Sequence, residues 1–390
     1  MKKAIVYTLG CKVNQCESQQ IINMLGRFGY EVCSSFMQAD LYIINSCSVT
    51  NEADKKSRQA IAKARKFNEN AIIIMIGCSV EKGYENNNNI ITIGTKNKVE
   101  ELRNYIKNIC KTNVCTDFSK NKMRPMIKIQ DGCNRFCSYC IVPYLRGRSV
   151  SRPVNEIISE INQYKDKTKE IVLVGIDISS YDNLIGLIKE LGINSKNNFR
   201  FRLGSLECSI ITHEFLTELK ENNFCEHFHL SLQSGSDSVL KRMNRHYTAK
   251  TFLEKVNLIR KYFPLAAITT DIITGFPNET EKEFNETLDL ITQAKFSNIH
   301  AFPFSAREGT KAYDMDGQIS HQLKKERANK IIERAKDLQK EFLQKNVGLM
   351  QEVFVEEDAG YTRNYIRVRT NEKIGMLIKI KLSEGDIYYE

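Results

Sequence analysis

The sequence predicts an α/β protein: an N-terminal parallel-sheet α/β domain, a central (β/α)6 partial barrel and a small C-terminal all-β domain. Three observations predict it. Short β-branched apolar runs alternate with helical stretches in the first 115 residues. Six strand-like segments separated by helices follow from residue 126. The last 45 residues then break into short strands with tight turns.

In the first part, residues 4–9, 41–45 and 72–76 are apolar runs with the bias of buried parallel strands. Residues 18–28 and 53–66 read as helices between them. Each strand ends close to a cysteine, Cys11, Cys47 or Cys78, at separations of 36 and 31 residues that suit one βα repeat. The carboxyl ends of parallel strands share one edge, where ligands bind, so these three cysteines should converge. A single cysteine is more often a buried structural one; three at equivalent strand ends are not. Cys16, Cys33, Cys110, Cys115, Cys208 and Cys225 have no such placement, and Cys16 is the nearest competitor, five residues after Cys11.

An Asn-rich loop is expected at 85–89, and 116–125 is expected to be a linker inside the polar stretch 111–124. The central strands start near Met126, Glu170, Phe199, His227, Ala266 and Asn298, with helices over 154–164, 248–262 and 280–294 and a long amphipathic one over 322–344. Six repeats suit a partial barrel rather than a closed eightfold one. The C-terminal part reads as strands over 353–356, 365–370 and 377–382. It has an acidic patch (Glu352, Glu356, Glu357, Asp358) followed by a basic one.

Composition sets limits. At roughly 100–200 residues per domain, 390 residues allow two or three. With 42% hydrophobic and 27% charged residues the chain is neither collagenous nor disordered. Its longest apolar run, 71–76, is far short of the ~20 residues of a membrane span. No apolar signal segment follows Met1, so a cytoplasmic location is expected. Twelve cysteines in 390 residues are too sparse for a disulfide scaffold and favour metal or redox chemistry. Of the net charge of +10, the whole excess lies in the first 152 residues, with 24 Lys and Arg against 12 Asp and Glu. That asymmetry favours a polyanionic partner. The last 45 residues carry a net −2.

The strongest local signal is Asp131-Gly132-Cys133-Asn134-Arg135-Phe136-Cys137-Ser138-Tyr139-Cys140, a Cys-x3-Cys-x2-Cys loop after a strand at 126–130. Thiolates are the usual ligands of iron–sulfur clusters, and three leave one iron of a [4Fe–4S] cube open. A structural zinc site would want four ligands, and the sequence offers no fourth nearby.

This loop, after the first strand of a six-strand partial TIM barrel, resembles the radical S-adenosylmethionine (radical SAM) superfamily. The resemblance implies that Cys133, Cys137 and Cys140 hold a cluster whose open iron chelates S-adenosylmethionine. Reductive cleavage would then yield methionine and a 5′-deoxyadenosyl radical. Tyr139 matches a position that contacts the adenine, and Asp177, Glu207, Gln233 and Gly275, at strand C-termini, match the adenosylmethionine pocket.

The likeness extends nearly end to end to the methylthiotransferases. Thr8-Leu9-Gly10-Cys11-Lys12-Val13-Asn14-Gln15, Asn45-Ser46-Cys47-Ser48-Val49-Thr50-Asn51-Glu52-Ala53-Asp54 and Ile76-Gly77-Cys78 resemble their three N-terminal motifs. By that resemblance Cys11, Cys47 and Cys78 hold a second [4Fe–4S] cluster that carries sulfur. Gly-Cys-Lys-Val-Asn at 10–14, with 49–59 and 127–134, resembles the branch that methylthiolates N6-threonylcarbamoyladenosine beside the anticodon of tRNA. Alternatives are the same chemistry on isopentenyladenosine, or a two-cluster electron-transfer or RNA-binding protein. The sequence departs from the family's pattern at Cys16, where the branch often has an aromatic, and in the Asn-rich loop after Cys78, which lacks the usual proline-containing segment.

The C-terminal part resembles a short TRAM domain around Gly360-Tyr361-Thr362-Arg363-Asn364-Tyr365. Arg146, Arg148, Arg152, Arg363, Arg367 and Arg369 are candidate contacts to tRNA phosphates. The implied partners are the tRNA anticodon loop and a one-electron reductant such as flavodoxin or ferredoxin, with a monomeric protein and no membrane. The expected domains are 1–115, carrying the second cluster, 126–345, the radical SAM core, and 346–390, the TRAM-like domain.

Overall fold

The computed structural model describes residues 2–82, 90–110, 124–195, 198–357 and 359–389. The expected Asn-rich loop at 85–89 lies outside them. So do Cys115 and all of the expected linker except Arg124 and Pro125. Two compact units emerge. The first comprises Met1–Lys122, Gly132–Asn134 and Cys140–Arg148; the second comprises Met123–Asp131, Arg135–Tyr139 and Ser149–Glu390.

The first unit is a parallel sheet of β1 (Lys3–Thr8), β2 (Glu31–Cys33), β3 (Leu41–Ser46), β4 (Ile72–Gly77) and β5 (Ile90–Ile93) in the order β2-β1-β3-β4-β5. Alternation along the strands supplies two cores. Ala4, Val6, Ile43, Ile74 and Ile76 face α1 (Lys12–Arg27) and α3 (Lys98–Cys110). Ile5, Tyr42, Ile44, Ile73 and Met75 face α2 (Asn51–Phe67) through Ala60, Ile61 and Ala64. Burial on both faces is why the strands read as unbroken apolar runs. α4 (Val142–Arg146) also belongs here.

Among the elements that escape the sequence reading are β2, β5, α3 and the start of α1. β2 and β5 are edge strands of three and four residues, too short to set a pattern. The first helix starts at Lys12, not 18, because Cys11 is its N-cap in extended conformation and polar Asn14, Glu17 and Ser18 are buried in its first turns.

The second unit starts with β6 (Met126–Lys128) and a short antiparallel pair, β7 (Gln130–Asp131) and β8 (Val150–Ser151). Parallel strands follow: β9 (Glu170–Val174), β10 (Arg200–Leu203), β11 (Ser205–Leu206), β12 (His227–Leu230), β13 (Ala267–Thr274) and β14 (Asn298–Pro303). They pair as β10-β9-β6 and β11-β12-β13-β14, with only Gly204 between β10 and β11. Helices α5 (Val154–Asn162), α6 (Leu184–Ser195), α7 (His213–Glu221), α8 (Asp237–Arg242), α9 (Ala249–Tyr262), α10 (Glu281–Ala294) and α11 (His321–Gln344) intervene or close the run. Ile171, Leu173, Phe201, Phe228, Leu230, Ile268 and Ile272 pack with Ile157, Leu187, Phe215, Phe252 and Ile291 of those helices in one large core. Thr50, Thr212, Thr248, Thr280 and Ser320 each accept an amide hydrogen bond from the residue three positions on, which starts α2, α7, α9, α10 and α11.

The chain ends in an antiparallel sheet of β15 (Met350–Val355), β16 (Gly360–Thr362), β17 (Arg367–Val368) and β18 (Leu377–Lys381), ordered β17-β16-β15-β18. Within the same unit it sits on the first residues of β9 and β10. Arg200 bonds Glu352 and the carbonyl of Tyr361, and Arg202 bonds the carbonyls of Thr362 and Arg363. Part of the acidic patch is thereby explained, since Glu352 answers Arg200 and Glu356 answers Arg124.

Candidate metal centres

The strands β1, β3 and β4 are neighbours, so their carboxyl ends bring Cys11, Cys47 and Cys78 to one edge, as expected. Local backbone chemistry fixes the three. Gly10 has φ +91° and passes so close to Cys47 that a Cβ there would lie 2.5 Å from Cys47 Sγ. Ser46 donates through Oγ to the Ile76 carbonyl (2.7 Å), and Ser79 Oγ donates to the Cys47 carbonyl (3.2 Å), tying the Cys47 and Cys78 loops together. Asn14 Nδ2 donates to the carbonyls of Leu9 (2.8 Å) and Ser46 (2.9 Å), and Asn45 Nδ2 donates to the Asn14 carbonyl (2.8 Å), which binds the Cys11 loop to the Cys47 loop.

Burial pushes the Cys47 thiol up to about 11, and the neighbouring Cys78 and Cys11 push in the same direction. Cys78 is also raised by burial, against the pull of Arg146 and Lys98. The three thiols therefore lie within electrostatic reach of one another. They are not gathered as a single ion would require. Among the described residues, the group of three metal-type ligand atoms within 4.8 Å of one another is His229, Asp271 and His300. Zn–S bonds of about 2.3 Å would draw tetrahedral thiolates to roughly 3.8 Å apart. A wider all-sulfur set fits a polynuclear cluster, whose thiolates bind separate irons.

Beneath this edge lies a polar network that the sequence reading missed. Lys98 Nζ is 2.7 Å from Glu17 Oε2 and 3.0 Å from Asn45 Oδ1. Arg146 Nη2 is 2.6 Å from Asn14 Oδ1 and 3.4 Å from Glu17 Oε2. Asn14 and Asn45 stood inside recognisable motifs and gave a signal; Lys98 gave none.

The Cys-x3-Cys-x2-Cys loop is shared out between the units. In the first, the Cys133 amide donates to the Gly147 carbonyl (3.1 Å), and Gly132 (φ +70°) leaves no room for a Cβ against the Arg148 carbonyl. In the second, the turn after α8 clamps residues 135–138. Ser138 donates through its amide to the Met243 carbonyl (3.0 Å) and through Oγ to the Arg242 carbonyl (2.8 Å). Asn244 Nδ2 donates to the Phe136 carbonyl (3.0 Å), and Arg245 Nη1 donates to Cys137 Sγ (3.3 Å). Arg245 is a second residue the sequence did not reveal.

The expected pocket residues sit at strand C-termini. Asp177 pairs with Arg135 (Nε to Oδ2, 2.6 Å), and Glu207 lies 3.5 Å from Arg135 and 3.9 Å from Arg245. Against the upward push of burial, the hydrogen bonds from Ser209 and the two arginines hold the Glu207 carboxyl below its ordinary range. Gln233 (φ +71°) exchanges backbone hydrogen bonds with β13, donating to Asp271 and accepting from Ile273. Gly275 (φ +68°) donates to Glu279 (2.7 Å). Tyr139 packs with Val239, Met243, Phe276 and Phe304.

The arginines expected on tRNA divide differently. Arg146 is corrected: its side chain is 2% exposed and bonded as described, so burial takes it away from phosphate. Arg152 bonds the Lys128 carbonyl (2.6 Å) and Glu160 (2.7 Å). Arg363 bonds Asn223 (2.8 Å) and the Phe224 carbonyl (2.6 Å). Arg367 and Arg369 lie over the Tyr388 ring, at 4.5 and 4.4 Å. Arg148 is exposed.

Residues 127–291 match the family model of the Radical SAM superfamily, and residues 3–94 match that of the Uncharacterized protein family UPF0004. Among solved structures, the radical S-adenosylmethionine methyltransferase TsrM from Kitasatospora setae superposes with a TM-score of 0.59 at 13% identity, covering 80% of this chain and 76% of that one, a likeness of fold. The protein is a radical SAM enzyme. It is 36% identical over its whole length to the threonylcarbamoyladenosine tRNA methylthiotransferase MtaB of Bacillus subtilis, covering 95% of that protein. To the protein of the same name from Chlamydia pneumoniae it is 39% identical over 90% of this chain and 86% of that one. The tRNA-2-methylthio-N(6)-dimethylallyladenosine synthase of Thermodesulfovibrio yellowstonii is 32% identical over 99% of each chain. The chain belongs to the radical SAM methylthiotransferase family, and its cofactors are two [4Fe–4S] clusters and S-adenosylmethionine.

Proposed function

We propose that this protein converts N6-threonylcarbamoyladenosine beside the tRNA anticodon to its 2-methylthio derivative. The observation that carries the proposal is the gathering of Cys11, Cys47 and Cys78 at three adjacent strand ends, in a chain 36–39% identical to two proteins named for that substrate. An aromatic C2–H is far too weak an acid for a general base at neutral pH, so the reaction needs more than side-chain chemistry. When bound, the clusters and S-adenosylmethionine supply the radical and the sulfur. The chain's own part is to hold thiolates at fixed spacing, to orient the adenosylmethionine and to exclude water.

In this assignment Cys133, Cys137 and Cys140 hold one cluster and Cys11, Cys47 and Cys78 the other. Tyr139, Asp177, Glu207, Gln233 and Gly275 line the adenosylmethionine pocket, with Arg135 fixing the two carboxylates. With β10 and β11, separated only by Gly204, counted as one, six parallel strands of the second unit form a (β/α)6 partial barrel, and the C-terminal sheet is a short TRAM-like domain. Domains at 1–115, 126–345 and 346–390, a cytoplasmic monomer, and a flavodoxin- or ferredoxin-type reductant complete the proposal. Among the described residues no helix is long and apolar enough to cross a membrane. Of the candidate arginines, Arg148 and Arg369 are the exposed ones and so the best placed for tRNA phosphate.

Mass spectrometry of tRNA nucleosides from cells lacking the protein tests the substrate. Loss of the methylthio-threonylcarbamoyl nucleoside is expected; loss of only the isopentenyl form would move the enzyme to the branch of its 32% identical relative. Anaerobic reconstitution tests the cysteines. Cys47→Ala should lower the iron count from about eight to about four, one cube per triad, while 5′-deoxyadenosine still forms. A protein that binds clusters yet yields no 5′-deoxyadenosine would be an electron carrier.

A further inference from the structure

Lys98 and Arg146 come from distant parts of the first unit, α3 and α4, and meet at Glu17 of α1. The Lys98 and Glu17 side chains are each 1% exposed, and Arg146 is 2% exposed. Ion pairs so deeply buried cost desolvation and are weak evidence of stabilisation by themselves. Their position is the informative feature. Lys98 Nζ would lie 3.4 Å from a Cβ on Gly77, the residue before Cys78. Cys78 itself packs against Ile141 and Leu145, the residue before Arg146. A single carboxylate, Glu17, is shared by the two cations, and it sits on the helix that Cys11 caps.

We propose that Lys98, Arg146 and Glu17 set the electrostatic potential at the Cys11/Cys47/Cys78 site, as positioning residues that hold its thiolate-bound cluster in place and fix its reduction potential. This rests on that triad holding a cluster, as proposed above. A [4Fe–4S]2+ core with three thiolates carries a net negative charge, and one more on reduction. A buried anion is tolerated only when paired, and the two cations supply that pairing from below the sheet edge. Lys98 and Arg146 favour the reduced, more negative state, and Glu17 opposes it. The asparagines Asn14 and Asn45 tie the network to the backbone that positions the cysteines, so charge and ligand geometry are set together.

The test uses the full-length chain with Cys133, Cys137 and Cys140 replaced by alanine, so that one cluster remains. Iron content and the midpoint potential, followed by electron paramagnetic resonance, are read for Lys98→Met, Glu17→Gln and the double variant. Lys98→Met should move the potential negative, Glu17→Gln should move it positive, and the double variant should return close to the parent. A merely structural network would not give opposite signs that cancel. Shifts of one sign in both single variants, or potentials unmoved at full iron content, would overturn the proposal. If Lys98→Met loses its fold, Glu17→Gln and the double variant, which restores charge balance, still decide the matter. A parent protein with no iron, instead of about four, would refute the cluster at this triad itself, and that failure is recognised before any charge is altered.

Discussion

Arg135 reaches from the cysteine loop to Asp177, Nε to Oδ2 at 2.6 Å, and extends its other arm to Glu207 at 3.5 Å. One side chain thereby fixes two carboxylates on different strand ends and keeps them from repelling each other. Replacing Arg135 with leucine leaves both carboxylates without this cation. Hydrogen bonds to charged groups contribute about 1.5–3 kcal/mol, which corresponds to roughly a 10- to 100-fold change in an equilibrium constant. Adenosylmethionine binding, measured by equilibrium dialysis on reconstituted protein, should weaken by that factor with iron content unchanged. An unaltered dissociation constant would show that the pair plays no part in the pocket.

The asymmetry between what was legible and what was not has a physical basis. Cys11, Cys47 and Cys78 could be placed together because parallel strands impose a shared edge, and periodic apolar runs reveal the strands. The same logic found β9 and β12 to β14 within a residue or two. Side-chain partnership leaves no such periodic trace. Arg146 and Arg148 look alike in the string, yet one is buried on Glu17 and the other is exposed. Lys98 sits at the start of α3, a helix the sequence reading passed over, and nothing local shows that it meets Glu17 81 positions away. Arg245 likewise looked like one charge among many, because its contact with Cys137 is made across 108 residues.

Gly10 offers a sharper test of the first cysteine site. Its φ of +91° disfavours any side chain, and a Cβ would lie 2.5 Å from Cys47 Sγ and 2.6 Å from Cys47 Cβ. Gly10→Ala must therefore displace the Cys47 side chain or the Cys11 turn. Reconstituted protein should lose about half of its iron, the loss also expected of Cys47→Ala, while still cleaving adenosylmethionine. Full iron retention would mean that the edge is looser than the packing indicates.

Glu170 is fully buried among Arg200 (2.6 Å), Arg202 (3.0 Å) and Arg124 (3.4 Å). Burial alone would raise its pKa, but the three guanidiniums win and bring it from 4.5 to about 2. The folded value lies below the unfolded one, so the stabilisation is complete above the unfolded value and is lost as pH falls from about 4.5 to about 2. The amount is on the order of 3 kcal/mol. At neutral pH, Glu170→Gln should cost roughly 3–5 kcal/mol by stranding buried arginines. In urea unfolding series the gap between wild type and variant should narrow as the pH drops through that window. A gap constant down to pH about 2.5 would contradict the downward shift.

Arg363 separates an architectural role from RNA binding. Its guanidinium bonds Asn223 Oδ1 and the Phe224 carbonyl and lies 3.8 Å from Glu226, joining the C-terminal sheet to the connection between α7 and β12 in the same unit. Arg363→Ala should destabilise by about 1.5–3 kcal/mol, a fall of several degrees in Tm for a unit of this size. A phosphate contact would behave otherwise. Its removal would lower the slope of log affinity for tRNA against log salt by about 1. The expected outcome is a lower Tm with the salt slope intact, measured by calorimetry and by filter binding over a range of salt. A reduced slope at unchanged Tm would return Arg363 to the RNA surface.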